Sequence, residues 1–304
     1  IEILGKDAYK LIQLMTCRNL SESKIGSCYY APLVDAKGGL INDPLIYKLE
    51  NDRWRVCIAD SDVILFAKGI AEAKNLNVNI FETNIDTLAV QGPKSFKLME
   101  KVFGEKIRKL NFFKFNFYEF NKNKFLISRS GYSKQGGFEI HTENAESALD
   151  LYDYFFEIGE PFNLRPGAPN HPERIEGGLL SYGNDMDNGD NPFECGFEKY
   201  VDLESDIIFL GKESLKKIKK KGIERKLMGV KINTKTMDLS SSCFINDENG
   251  NRIGELRSGA YSPKFKMIVG IAMLKKNFTN PGYKFKINHN GNVISGEVCN
   301  LPIN

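Results

Sequence analysis

Two carboxylates beside strand and turn signals are the side chains of this chain best suited to chemistry. Glu139 lies in the strand-like run Phe138-Glu139-Ile140, so it points to the face opposite its two apolar neighbours. A carboxylate placed in this way can accept two parallel N–H donors as a bidentate pair. Asp43 stands at the head of a strand that follows the turn at Gly38-Gly39. The residues alone leave plainer alternatives open, because a strand Glu is usually solvated and an Asp often merely ends a turn.

Several common enzyme signatures do not occur in the sequence. It has no phosphate-binding GxGxxG or Walker loop, no GxSxG motif and no CxxC pair. The histidines, at positions 141, 171 and 289, do not have metal-ligand spacing, so we expect no metal site. The six cysteines are widely scattered, which favours buried thiols in a reducing compartment over a disulfide framework.

The balance of charge offers no electrostatic footprint for nucleic acid, since 42 basic side chains stand against 39 acidic ones. No apolar stretch approaches the ~20 residues that span a bilayer, and no signal peptide is visible. We therefore expect a cytoplasmic protein that binds neither nucleic acid nor a membrane. The chain starts with Ile1 in a strand-like run, so we expect that an N-terminal segment is missing. The oligomeric state stays open, a homodimer included.

Strands and helices alternate through about residue 213, which predicts α/β or α+β layers. Asn144 and Asn170 are N-cap signals for two helices in this part of the chain. Asp60 or Ser61 is expected to cap an earlier helix in the same way.

The strand pattern changes along the chain. Residues 28–34 and 40–49 predict the two strands of one hairpin. The lysine-rich stretch 214–225 is predicted to be a linker. Beyond it the strands are short and separated by turn sequences, which predicts a small, barrel-like all-β unit. Composition and periodicity by themselves indicate a soluble α/β protein and no particular function.

Five blocks of sequence, in the same order, resemble the glycine-cleavage T-protein superfamily. They are residues 26–47, 86–93, 129–140, 173–185 and 254–263. The resemblance implies an α+β fold in which an aminomethyltransferase-like folate-binding domain of two interleaved α/β subdomains spans 1–213. A linker at 214–225 and a C-terminal β-barrel domain at 226–304 would follow. It also implies that tetrahydrofolate is the cofactor.

The resemblance assigns roles to individual residues. Asp43 matches the catalytic carboxylate of an Asp-Asp pair whose first member is Asn42 here. Glu139 matches the residue that binds the pterin ring, which presents an N–H and an NH₂ side by side. The other implied folate-binding residues are Tyr30, Tyr47 and Arg174. An Arg that T-proteins place shortly before the Arg174 helix is Asn170 in this chain.

Within the superfamily, the chain resembles the dimethylsulfoniopropionate demethylase branch. The resemblance lies in residues 14–18, 58–64, 130–137 and 191–197, where T-proteins read differently. It implies methyl transfer from a sulfonium zwitterion to tetrahydrofolate, giving methylmercaptopropionate and 5-methyltetrahydrofolate. A cationic sulfur favours aromatic faces, and the substrate carboxylate favours donors. The substrate-binding residues expected on this basis are Tyr29, Trp54, Tyr132, Lys134 and His141.

Two departures and two alternatives accompany this interpretation. Tyr132 stands where the demethylase branch has Trp, and His141 where it has Tyr. One alternative is aminomethyl transfer in glycine cleavage, against which Asn42 and the block Ser133-Lys134-Gln135 argue, or the reaction of another folate-dependent demethylase. A non-catalytic folate-binding assembly factor is the other, but the Cys-bearing signature of that group does not occur here.

Overall fold

The computed structural model describes residues 1–58, 62–239 and 243–304. The chain forms two compact units, each assembled from separated stretches. The first contains Ile1–Ile12, Leu20–Ala31 and Pro44–Pro169. The second contains Gln13–Asn19, Pro32–Asp43 and Asn170–Asn304.

Six α-helices and seventeen strands are present in the described residues. The helices are α1 Ala8–Met15, α2 Val63–Ala73, α3 Ser95–Phe103, α4 Ala145–Gly159, α5 His171–Glu176 and α6 Lys212–Lys221. The first eleven strands are β1 Glu2–Leu4, β2 Ser27–Tyr30, β3 Leu33–Val34, β4 Leu40–Asn42, β5 Leu45–Lys48, β6 Arg53–Cys57, β7 Asn79–Phe81, β8 Asp86–Gln91, β9 Phe115–Phe120, β10 Asn123–Ser128 and β11 Gly137–Thr142. The last six are β12 Arg225–Ile232, β13 Cys243–Asn246, β14 Arg252–Ser262, β15 Met267–Lys275, β16 Lys284–His289 and β17 Asn292–Cys299.

The first unit contains an antiparallel five-stranded sheet in the order β2-β5-β6-β1-β7. Tyr47 is the Cα partner of both Cys28 and Arg55, so these three side chains lie on one face. Tyr29 and Trp54 occupy the intervening positions and therefore lie on the opposite face.

A second antiparallel sheet of this unit has the order β8-β11-β10-β9. Phe138 and Ile140 on β11 enter a hydrophobic core with residues of α3 and α4. Alternation then directs Glu139 and His141 to the other face. On that face Leu126 of β10 packs with Tyr47, Cys28 and Phe115, so the face lies against the first sheet. Polar side chains of β11 are thus directed between the two sheets.

The second unit contains a closed six-stranded barrel in the order β12-β15-β14-β13-β16-β17. Its core includes Val230, Ile245 and Phe285. Gly296 on β17 lies directly beside the Phe285 ring, where an added Cβ would be 2.3 Å from a ring carbon. The α+β fold with a C-terminal barrel that the sequence predicted is confirmed.

Local predictions had mixed outcomes. Asn144 and Asn170 cap α4 and α5, accepting backbone N–H bonds of 2.9 and 3.1 Å. The single hairpin predicted over 28–49 is wrong, because it is divided into a β2–β5 ladder and a β3–β4 ladder. Prolines at positions 32 and 44 stand at the divisions, where a residue without an N–H cannot continue a ladder.

The stretch 214–225, expected to be a linker, lies largely in α6. The expected helix is present as α2, but its predicted caps Asp60 and Ser61 lie outside the described residues. Within the described residues, no helix combines the length and apolar character needed to cross a membrane.

Candidate active site

Glu139 is the carboxylate around which the polar residues of the first unit are arranged. It lies in the middle of β11, with Ser128 on β10 and Ala89 on β8 as its cross-strand partners. The Ser130 hydroxyl donates a hydrogen bond to its Oε2. Burial raises the pKa of the Glu139 carboxyl, and the bond from Ser130 opposes this only in part. A carboxylate deprived of water in this way gains from N–H donors that a ligand brings.

A chain of hydroxyl groups continues from Glu139 into the protein. Ser130 Oγ is 2.7 Å from Ser128 Oγ, which is 3.1 Å from the Tyr47 hydroxyl. Burial raises the pKa of Tyr47 well above its ordinary value, so this hydroxyl keeps its proton. Tyr47, predicted to bind folate, therefore reaches Glu139 through two serines.

His141 lies two residues after Glu139 on the same strand face and is held as a neutral imidazole. Its Nδ1 is 3.1 Å from Nη1 of Arg55. Because a guanidinium only donates, Nδ1 must be the acceptor, which assigns the proton to Nε2. Burial and the charge of Arg55 lower the pKa of His141 to about 3. The ring also contacts Tyr47, with centroids 5.0 Å apart.

Arg55 is in turn fixed by Glu2, which is 1% exposed. Glu2 Oε1 accepts bonds of 3.0 and 2.6 Å from Nε and Nη2 of Arg55. Its Oε2 accepts a bond of 2.7 Å from Arg53. Burial acts to raise the pKa of Glu2, but the hydrogen bonds from Arg53 and Arg55 outweigh it and the pKa is lowered. The ionised pair fixes the position of Arg55 under His141.

The sheet surface beside Glu139 is exposed at β8. Ala89 and Thr87, the β8 partners of Glu139 and His141, are both exposed. The loop that precedes β11, residues 131–136, is exposed except at Ser133 and carries Tyr132 and Lys134. Lys134 has φ +58°, a left-handed conformation that costs a residue with a Cβ roughly 1 kcal/mol. Such cost is often found where a loop serves a ligand.

The structure does not bring Trp54 and Tyr29 together with these residues. Trp54 is fully buried on the other face of the first sheet, under the Lys48 ammonium, which is 5.2 Å from its ring centroid. The Tyr29 hydroxyl, on the same face, accepts the backbone N–H of Lys24 at 2.8 Å. Tyr30 lies on the Tyr47 face. Strand alternation turns Trp54 and Tyr29 away from Glu139, and their binding of substrate stays a prediction.

The guanidinium of Arg174, in the second unit, is hydrogen-bonded to other side chains of that unit. Its Nη1 is paired with buried Asp185, its Nη2 donates to Ser258 at 2.8 Å, and its Nε donates to His171 at 3.3 Å. These bonds tie α5 to β14 and engage each nitrogen of the guanidinium. The binding of folate by Arg174 stays a prediction.

Asn42 and Asp43 also belong to the second unit. Asn42 is 3% exposed, and its Oδ1 accepts the Asp43 backbone N–H at 2.8 Å. That bond fixes the orientation of the amide, because the NH₂ end would repel the N–H. Nδ2 of Asn42 is then a buried donor with no acceptor in the described residues. An acceptor group on a ligand would satisfy it.

Sequence reasoning did not identify Ser128, Arg55 and Gln91 as parts of this arrangement. A buried Arg in the run Trp54-Arg55-Val56 is a usable signal, because a charge between apolar strand residues needs a partner. Nothing in the sequence pairs it with a histidine 86 positions away.

Family models and known proteins show what the chain is similar to. Residues 1–205 match the GCVT N-terminal domain, and residues 225–303 match the glycine cleavage T-protein C-terminal barrel domain. The chain belongs to the glycine-cleavage T-protein family. Enzymes of this family use tetrahydrofolate as the one-carbon acceptor or carrier, and the chain is a folate-dependent enzyme of this type.

Individual members of the T-protein family show the range of similarity. A dimethylsulfoniopropionate demethylase of Ruegeria pomeroyi is 37% identical over 282 residues, covering 93% of this chain and 77% of the relative. An aminomethyltransferase of Halothermothrix orenii is 29% identical over 306 residues, covering 99% and 85%. The crystal structure of aminomethyltransferase T of the glycine cleavage system from Bartonella henselae superposes with a TM-score of 0.88 at 23% identity, covering 99% and 82%. The last similarity concerns the fold.

Proposed function

We propose that the protein demethylates dimethylsulfoniopropionate with tetrahydrofolate as methyl acceptor. The observation that carries the folate part of this proposal is Glu139, a largely buried carboxylate with a raised pKa beside exposed residues of β8. The pterin edge presents two N–H donors that one carboxylate can accept together. The division into a folate-binding domain (1–213), a linker (214–225) and a barrel domain (226–304) belongs to the same proposal.

The reaction is a single displacement with tetrahydrofolate as the second substrate. The N5 lone pair attacks an S–CH₃ carbon, the C–S bonding electrons return to sulfur, and N5 releases its proton. The products are 5-methyltetrahydrofolate, methylmercaptopropionate and H⁺. Because a sulfonium carries its own leaving group, the main task of the protein is alignment of the methyl carbon with N5.

The remaining residues have the following proposed roles. Asp43 interacts with N5 and its proton, as the family resemblance implies. Tyr132 supplies an aromatic face for the sulfonium, and Lys134 a donor for its carboxylate. His141, fixed as the Nε2–H tautomer, shapes the donor pocket beside Glu139. Tyr30 lines the folate side.

Two observations favour the demethylase reaction over aminomethyl transfer. The demethylase of Ruegeria pomeroyi is 37% identical to the chain, against 29% for the aminomethyltransferase of Halothermothrix orenii. Asn42 also replaces the first carboxylate of the T-protein pair. A neutral amide next to Asp43 repels a substrate carboxylate less than a second Asp would.

A panel of donors tests the proposal. The purified protein is incubated with tetrahydrofolate and, separately, dimethylsulfoniopropionate, trimethylsulfonium, glycine betaine or an aminomethyl-lipoyl protein. We expect 5-methyltetrahydrofolate with dimethylsulfoniopropionate and little product with the others. Formation of 5,10-methylenetetrahydrofolate from the aminomethyl donor would favour the glycine-cleavage reaction. Folate binding without product from any donor would instead support the non-catalytic alternative.

A further inference from the structure

Gln91, the last residue of β8, makes three side-chain hydrogen bonds around Glu139. Its Nε2 donates to the backbone oxygens of Ser130 and Phe138, each at 3.1 Å. Its Oε1 accepts the Ser133 hydroxyl at 2.7 Å. Turning the amide over would place its oxygen against two carbonyls, so its orientation is fixed. The amide therefore braces the start and middle of the exposed loop against β11.

Two glycines make room for this brace. A Cβ added at Gly131 would lie 2.1 Å from Oε1 of Gln91, and its three nearest atoms all belong to that side chain. A Cβ at Gly137 would lie 2.4 Å from the Val90 oxygen and 2.7 Å from Cδ of Gln91. The backbone thus closes on the amide from both sides, and the amide has little freedom to move.

The brace acts on Glu139 from two directions. It holds the backbone of Ser130, whose hydroxyl donates to the Glu139 carboxylate. It also holds the carbonyl of Phe138, the residue before Glu139 on β11. Beyond Ser130, the same loop carries Tyr132 and Lys134. One side chain therefore connects the carboxylate with the loop proposed to meet the methyl donor.

We propose that Gln91 is a positioning residue that sets the Ser130 hydroxyl against Glu139 and holds the loop with Tyr132 and Lys134. It thereby controls both folate affinity and methyl-donor affinity without contacting either molecule. This inference rests on the proposed role of Glu139 in folate binding. A residue that merely supported the fold would change stability and leave both affinities alone.

The pH dependence of folate binding gives a readout specific to this role. The Ser130 bond opposes the rise in the pKa of Glu139, so a displaced Ser130 leaves burial unopposed and the pKa rises further. The neighbouring groups whose pKa values are shifted by burial do not titrate between pH 4 and pH 8. Burial raises the pKa of Cys28 to about 12, that of Cys57 to about 11 and that of Tyr47 well above its ordinary value. Burial and the charge of Arg55 lower the pKa of His141 to about 3.

The test compares Gln91→Met, which keeps the length and removes all three bonds, with Gln91→Ser, which removes the amide without adding a charge. Gln135→Met, in an exposed position of the same loop, is the matched control. We measure the Kd for tetrahydrofolate from pH 4 to pH 8, the KM for dimethylsulfoniopropionate and the Tm. For both Gln91 variants we expect a Kd about three- to thirtyfold higher. The pH midpoint of binding should move upward and KM should rise, while the control matches the parent protein.

Lower Tm with unchanged Kd, midpoint and KM would overturn the proposal and make Gln91 structural. If Gln91→Met does not fold, Gln91→Ser decides by the same criteria. A second measurement compares the Tm change caused by Gly131→Ala in the parent protein with the change it causes in Gln91→Ser. Gly131→Ala should lower the Tm of the parent protein, and it should lower the Tm of Gln91→Ser far less, because the Gln91 amide is absent there. A Glu139→Ala variant with parental folate affinity would show that the proposed folate role, and not this inference alone, has failed.

Discussion

Replacing Glu139 with Gln separates its binding role from its effect on the fold. Gln keeps the shape and one acceptor oxygen, but it removes the charge and places an NH₂ against the pterin donors. Hydrogen bonds to a charged group contribute about 1.5–3 kcal/mol, so the Kd for tetrahydrofolate should rise roughly 10- to 150-fold. Isothermal titration calorimetry at pH 7.5 measures it. Glu119→Gln, an exposed Glu on β9 of the same sheet, is the matched control and should bind like the parent.

Glu139→Gln should raise the stability of the ligand-free protein, although it lowers folate affinity. Burial raises the pKa of Glu139 above that of the unfolded chain, so between the two values the folded state binds more protons. Stability therefore falls as pH rises through this window, and the ionised carboxylate is a cost at neutral pH. Glu139→Gln should raise the Tm of the ligand-free protein at pH 7.5 and reduce its pH dependence. Parental folate affinity together with a lower Tm would refute the reasoning and make Glu139 structural.

Three further predictions concern the proposed donor site and catalysis. Lys134→Gly should keep or slightly raise stability, because Gly adopts φ +58° without strain, but it should raise the KM for dimethylsulfoniopropionate. The control Lys122→Gly, at φ +64° in the β9–β10 turn, should leave this KM unchanged. Equal KM values in the two variants would contradict the role of Lys134. Asp43→Asn should leave Tm and folate affinity nearly intact while kcat falls at least about tenfold, or ~1.4 kcal/mol; full turnover would return Asp43 to a turn-ending role. Tyr132→Trp should change the KM for the sulfonium more than that for tetrahydrofolate, and equal changes would show that Tyr132 is misassigned.

The sequence predicted the barrel, the two Asn caps and the strand that carries Glu139, because each rests on local signals. It assigned Tyr29 to the methyl donor and Tyr30 to folate, and these adjacent strand residues face opposite ways. The sequence shows that strand residues alternate between two faces, as Tyr29, Trp54 and Tyr47 do. It does not show which face of the first sheet packs against the second sheet, because that depends on contacts between distant strands.

The environment of Glu139 could not be predicted in the same way. The Ser130 contact depends on a loop conformation that the Gln91 amide fixes from 39 residues away. The neutral state of His141 follows from the contact with Arg55, 86 residues away. Pairings of this kind arise from the register between two sheets, which no local pattern encodes.

Direct transfer of a labelled methyl group tests the central claim most plainly. Dimethylsulfoniopropionate carrying ¹³C in its S-methyl groups is mixed with tetrahydrofolate and excess protein, and the ¹³C NMR spectrum is followed through one turnover. We predict that one of the two labelled methyl groups moves to N5 of tetrahydrofolate at the rate at which methylmercaptopropionate forms, while the other stays on the sulfur of that product. Glu139→Gln should slow both processes together at limiting folate. Absence of label from N5, or label in a folate product other than 5-methyltetrahydrofolate, would contradict the proposed reaction.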